Sequence, residues 1–132
     1  MSEPSIEPTR EQIAALASSE ADGPIAMLNL LRFRDEALAP DAGMSGAEAY
    51  GLYGQGVAPY LEAAGARVLS AVNCDLSVIG PEEAEWDMAI IVEYPSRQAF
   101  IGMVSDPGYQ EVAVHRTAAL ADSRLVMSTK LA

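Results

Sequence analysis

One cysteine, one histidine and eight basic side chains are what this sequence has least of, and each shortage closes a class of function. The single Cys74 cannot form an intrachain disulfide or a cysteine metal cluster, and in a strand-like stretch it reads as a small buried hydrophobe. Against 8 Lys and Arg stand 19 Asp and Glu, a net charge of -11, which repels phosphate backbones and anionic lipid surfaces and argues against a nucleic-acid partner. Hydrophobic residues make up 50% of the chain, yet no run approaches the roughly 18 apolar residues of a membrane helix. The opening Met-Ser-Glu-Pro lacks the basic and apolar regions of a signal peptide, so the cytoplasm is the expected location. No Ser-His-Asp order, phosphate-binding glycine loop or dense His/Cys/Asp cluster is present; no metal or cofactor is expected.

What is present is a run of strand-forming apolar residues. Ile25 to Arg34 places Ile25, Met27, Asn29, Leu31 and Phe33 on one face of a strand and Ala26, Leu28, Leu30, Arg32 and Arg34 on the other. Both faces are apolar until the strand's end, so both should lose their water. A chain of 132 residues suits one domain, here residues 23–132, preceded by a loose tail over residues 1–8 and a short helix within 1–22.

Thr9-Arg-Glu-Gln12 and Ser45-Gly-Ala-Glu48 are capping-box patterns, each predicting a helix start. The second helix should run to about Ala64 and bend near residue 55, where Gly51, Gly54, Gly56 and Pro59 weaken it, with close packing on the sheet as the compensation. Arg67 to Cys74 and Leu76 to Ile79 read as two strands or one bent one, and Trp86 to Tyr94 as another. Ser96 can cap a short helix through Val104, Asp106-Pro107 opens a helix over Tyr109 to Ala121, and Arg124 to Leu131 alternates as a closing strand.

The order predicts an α+β, ferredoxin-like βαββαβ antiparallel sheet with its helices on one face. Because the first strand is apolar on both sides, the helix-free sheet face is expected to meet a second copy, giving a homodimer.

The motifs Asn29-Leu-Leu-Arg-Phe33, Tyr50-x-x-Tyr53-Gly54, Glu85-Trp86-Asp87, Tyr94-Pro95-Ser96-Arg97-x-x-Phe100 and Asp106-Pro-x-Tyr109 together resemble the DUF1330 family of dimeric α+β barrel proteins, over about residues 22 to 128. The resemblance implies the fold and a homodimer and supplies no catalytic residues. The wider superfamily includes cofactor-free monooxygenases, small isomerases and haem-degrading enzymes that use a pocket between sheet and helices, and fold does not fix function. Haem is demoted by the same resemblance, which puts Tyr94 where those enzymes carry a Trp and Ala113 where they carry the iron-binding His.

Asn29 is the leading candidate, because an amide among Met27, Leu31 and Phe33 must find hydrogen bonds, from a ligand or from the backbone or the Tyr53 hydroxyl. Tyr50, Tyr53, Trp86 and Tyr94 combine apolar bodies with polar tips and are expected either to wall a pocket or to form plain core. Arg116, on the apolar face of the last helix, reaches either an internal carboxylate or an anionic group of a ligand. His115 phases toward solvent, and Arg32 and Glu93, on the face opposite Asn29, could pair across strands or across the subunit boundary. The expected function is binding of a small, partly apolar molecule between sheet and helices, with cofactor-free chemistry on it as an extension; the alternative is a non-catalytic ligand-binding or assembly homodimer.

Overall fold

The computed structural model of the chain describes residues 4–83 and 85–131. The elements run α1 (Arg10–Ser18), β1 (Ile25–Phe33), α2 (Gly46–Ala63), β2 (Arg67–Asn73), β3 (Met88–Tyr94), α3 (Arg97–Ser105), α4 (Pro107–Ala119) and β4 (Leu120–Ser128). The strands form one antiparallel sheet in the order β2-β3-β1-β4, the ferredoxin-like plan. Register pairs Met27 with Val92 and Met127, and Asn29 with Ile90 and Leu125. On that face Met27, Val92 and Tyr94 pack against Val57 of α2, Phe100 and Met103 of α3 and Tyr109 of α4. Each such buried side chain stabilises the fold by about 1.5–3 kcal/mol.

Local chemistry sets the helix starts. Both capping boxes form, with Thr9 and Gln12 exchanging side-chain to backbone bonds and Ser45 and Glu48 doing the same. Asp106 caps α4 with Pro107 in its first turn. Helix α2 is continuous across Pro59. Of its four glycines only Gly46 and Gly56 serve close approach; at Gly51 and Gly54 a Cβ would meet open space, so the close packing expected of them is not there. A side chain at Gly46 would collide with the Arg34 and Ala119 carbonyl oxygens, and a Cβ at Gly56 would lie 2.7 Å from Val112 of α4.

Several expectations fail for identifiable reasons. Leu76 to Ile79 forms no strand: β2 is already the sheet's edge, and Leu76, Val78 and Ile79 are 80%, 86% and 95% exposed. Strand β3 begins at Met88, because Asp87 bonds irregularly to β1, its N–H to Leu31 O (2.7 Å) and its carboxylate from Phe33 N–H (2.8 Å). The last helix gives way at Ala119, and β4 starts at Leu120 to pair with Phe33 at the far end of β1. Residues 1–3 lie outside the described residues, but the segment after them is tied down. Ser5 N–H donates to Asp122 Oδ1 (2.9 Å), Ser5 O accepts from Ser123 Oγ, and Ile6 O accepts from Arg116 Nη1 (2.6 Å).

Candidate functional site

Helices α2 to α4 leave part of the covered face unfilled, and the N-terminal segment borders the space that remains. The result is a cavity of about 1520 Å³. Met27, Asn29, Ile90, Leu125 and Met127 line it from the sheet, Tyr50 and Tyr53 from α2, Tyr109 and Arg116 from α4, and Ile6, Ile13 and Leu16 from the N-terminal segment.

Asn29, Tyr50, Tyr53, Tyr94 and Arg116 all border this cavity, whereas Trp86 does not. Its ring lies instead beside the Arg32 and Arg124 guanidinium groups, 6.0 and 5.2 Å from the ring centre, on residues that pair across the helix-free face. The alternation that grouped Trp86 with Met88 and Ile90 stops at the strand's first residue, two positions later.

Asn29 is half satisfied. Its Nδ2 donates to Met27 O and Ile90 O, both at 3.3 Å, while its Oδ1 accepts no hydrogen bond among the described residues. The Tyr53 hydroxyl bonds to the Tyr109 hydroxyl (2.9 Å) rather than to Asn29. Rings of Phe33, Tyr50 and Tyr53 follow one another at 5.4 and 5.3 Å, a tilted aromatic wall. Burial pushes the Tyr50 phenol up to about 12, with Arg116 pulling the other way, and pushes Tyr53 and Tyr94 up further. All three are therefore neutral hydroxyls at physiological pH, able to donate as well as accept.

Arg116 bonds to Ile6 O at 2.6 Å and reaches Ser123 Oγ only at 3.5 Å; among the described residues no carboxylate lies within 4.0 Å of it. The internal ion pair expected for it is absent from those residues. Arg32 pairs across strands with Asp122 (3.4 Å), and Glu93 across strands with Arg67 and also with Lys130 (both 3.1 Å). His115, half-buried, bonds through Nδ1 to the buried Asp41 carboxylate (2.7 Å), tying α4 to the loop before α2.

Sequence reasoning missed Arg97 as a structural anchor. Buried at the start of α3, it donates to Ala21 O (2.7 Å), Leu16 O (2.8 Å) and Ala17 O (2.9 Å), satisfying carbonyls at and beyond the end of α1. Asp122 was missed as well. Burial opposes its charge, but N–H groups of Ser5 and Ser123 and the Arg124 guanidinium outweigh burial and hold its carboxyl below the usual range.

A family model described as "Domain of unknown function (DUF1330)" matches residues 41–129. The chain belongs to the DUF1330 family. Within the DUF1330 match lie Tyr50, Tyr53, Tyr94 and Arg116, whereas Asn29 and the N-terminal segment precede it. The chain is 43% identical to a protein of unknown function from Rhodopseudomonas palustris, whose crystal structure superposes with a TM-score of 0.91 over 98% of each chain, α1 included. More distant likenesses share the fold alone. A dimeric protein of unknown function and ferredoxin-like fold from Bacteroides fragilis matches at 9% identity and TM-score 0.54, over 81% of this chain and 96% of that one. A dimeric ferredoxin-like protein of unknown function from Thermobifida fusca matches at 14% identity and TM-score 0.53, over 86% and 96%. No curated protein matches this DUF1330 chain.

Proposed function

We propose that this chain binds a small, partly apolar molecule in the cavity between sheet and helices, and does so as a homodimer joined through its helix-free sheet face. The observation that carries the binding reading is the unpaired Asn29 Oδ1 bordering a cavity of about 1520 Å³. Common ligand pockets hold roughly 300–1,000 Å³ and combine apolar walls with a few placed polar groups, and this one has both room and groups. Asn29 orients a donor on the ligand, Tyr53 bonds to it through its hydroxyl, and Tyr50 and Tyr94 are walls.

The dimer reading is supported by the other sheet face, where Leu28, Leu30 and Ile91 share one side with Val72 and Val126, 51% and 50% exposed in a single chain. An apolar face of that kind marks an interaction surface. The dimeric neighbours share this fold.

Asn29→Ala tests the first part. We expect ligand affinity to fall at least tenfold while stability falls by about 1 kcal/mol or less, because the two bonds lost are long. A loss of 2 kcal/mol or more with unchanged affinity would place Asn29 in the fold instead. For the second part, light scattering should give a dimer for the natural chain and a folded monomer for Leu28→Asp; a monomeric natural chain overturns it.

A further inference from the structure

Two cations border the cavity: Arg124 is paired with Asp122, whereas Arg116 is not paired with the one carboxylate that also borders it, Glu7, which accepts from Thr117 Oγ1 (3.2 Å). Four cations of this acidic chain, Arg32, Arg67, Arg124 and Lys130, have a carboxylate within 3.4 Å, and Arg97 instead spends its donors on three backbone carbonyls. Arg116 has none within 4.0 Å among the described residues, although the chain carries 19 acidic side chains. A guanidinium offers five N–H donors in a planar fork. Here one is well used, on Ile6 O at 2.6 Å, and one reaches Ser123 Oγ at 3.5 Å, the limit of a hydrogen bond. A half-buried guanidinium with spare donors and no carboxylate within 4.0 Å among the described residues is stabilised when an anion reaches it. The surrounding groups narrow that anion's chemistry. Tyr50, whose phenol feels the Arg116 charge, and Leu125 and Met127 of the sheet line the same cavity, so an ion with no apolar body would forfeit most of the available contact.

We infer that the cavity takes an organic carboxylate, its carboxyl group held by the Arg116 fork, its apolar body against Tyr50 and the sheet, and a donor of its own directed at Asn29 Oδ1. This rests on the reading of the cavity as a binding site and goes beyond it by naming the ligand's charge. It assigns Arg116 a double attachment, to the ligand through its spare donors and to the N-terminal segment through Ile6.

The test is calorimetric titration with benzoate and 4-phenylbutyrate and with benzamide and 4-phenylbutyramide, the matching neutral amides. The acids should bind at least tenfold more tightly than the amides. Arg116→Gln should abolish that preference while leaving amide affinity within about twofold, and Arg67→Gln, which removes a cation that does not line the cavity, should keep it. Should Arg116→Gln not fold, Arg116→Lys, which keeps the charge and loses the fork, should reduce the preference. Amides that bind as well as acids, or a preference that survives Arg116→Gln, would overturn the inference and leave the cavity reading standing. If neither series binds, the cavity reading itself fails and the inference falls with it.

Discussion

Arg97 and Arg116 grip the same N-terminal segment from its two ends, and the difference between them separates a part of the scaffold from a part of the site. Arg97 is buried and spends three short bonds on carbonyls at the end of α1, where the helix dipole supplies negative charge. Arg116 borders the cavity with one short bond, one long one and no carboxylate nearby among the described residues. A cation whose donors are used up holds structure together. One with donors to spare beside an apolar cavity can hold something else.

The largest effect should come from Arg97. Arg97→Met leaves three carbonyls without their charged donor and should cost about 2–4 kcal/mol in urea unfolding, with faster proteolysis before residue 22. Arg116→Gln should cost about 1 kcal/mol or less, because it loses one good bond. Equal losses at the two sites would break the comparison.

Acid should act on the Arg116 end first. Folding lowers the Asp122 carboxyl, so its contribution is fully present above about pH 5 and is lost as pH falls through the depressed folded value. Unfolding midpoints measured from pH 6 to pH 2 should fall more steeply in the natural chain than in Asp122→Asn. A smaller effect lies at the alkaline end. Tyr50, Tyr53 and Tyr94 keep their protons in the folded state beyond the ordinary phenol value of about 10, so stability is present below that pH and declines above it. Tyr50→Phe should flatten that decline between pH 10 and 12.

The sequence made the sheet and helices legible because their signals are local. Alternation within Ile25 to Arg34 set the central strand, and the pairs Thr9 with Gln12 and Ser45 with Glu48 set two helix starts. Asn29, Tyr50, Tyr53, Tyr94 and Arg116 share the cavity because strand and helix periods carried them to the covered face. The N-terminal anchoring was invisible for the opposite reason: Ser5 meets Asp122 across 117 positions, and Ile6 meets Arg116 across 110. Trp86 was misplaced by extending a strand period past the strand. Leu76 to Ile79 has a strand's composition but pairs with none of the four strands and lies exposed. Polar Asp122 and Ser123 hid the start of β4, because they serve the N-terminal segment and interrupt its apolar pattern.

The most direct test of the cavity as a binding site uses methyl NMR of methionine-labelled protein during titration with 4-phenylbutyrate. Met27, Met103 and Met127 line the cavity, while Met44, in the loop before α2, does not and serves as the internal control. The account predicts that the first three methyl signals move together along one saturating curve as Met44 holds still. Signals that stay fixed at millimolar ligand, or that move only at Met44, would contradict it.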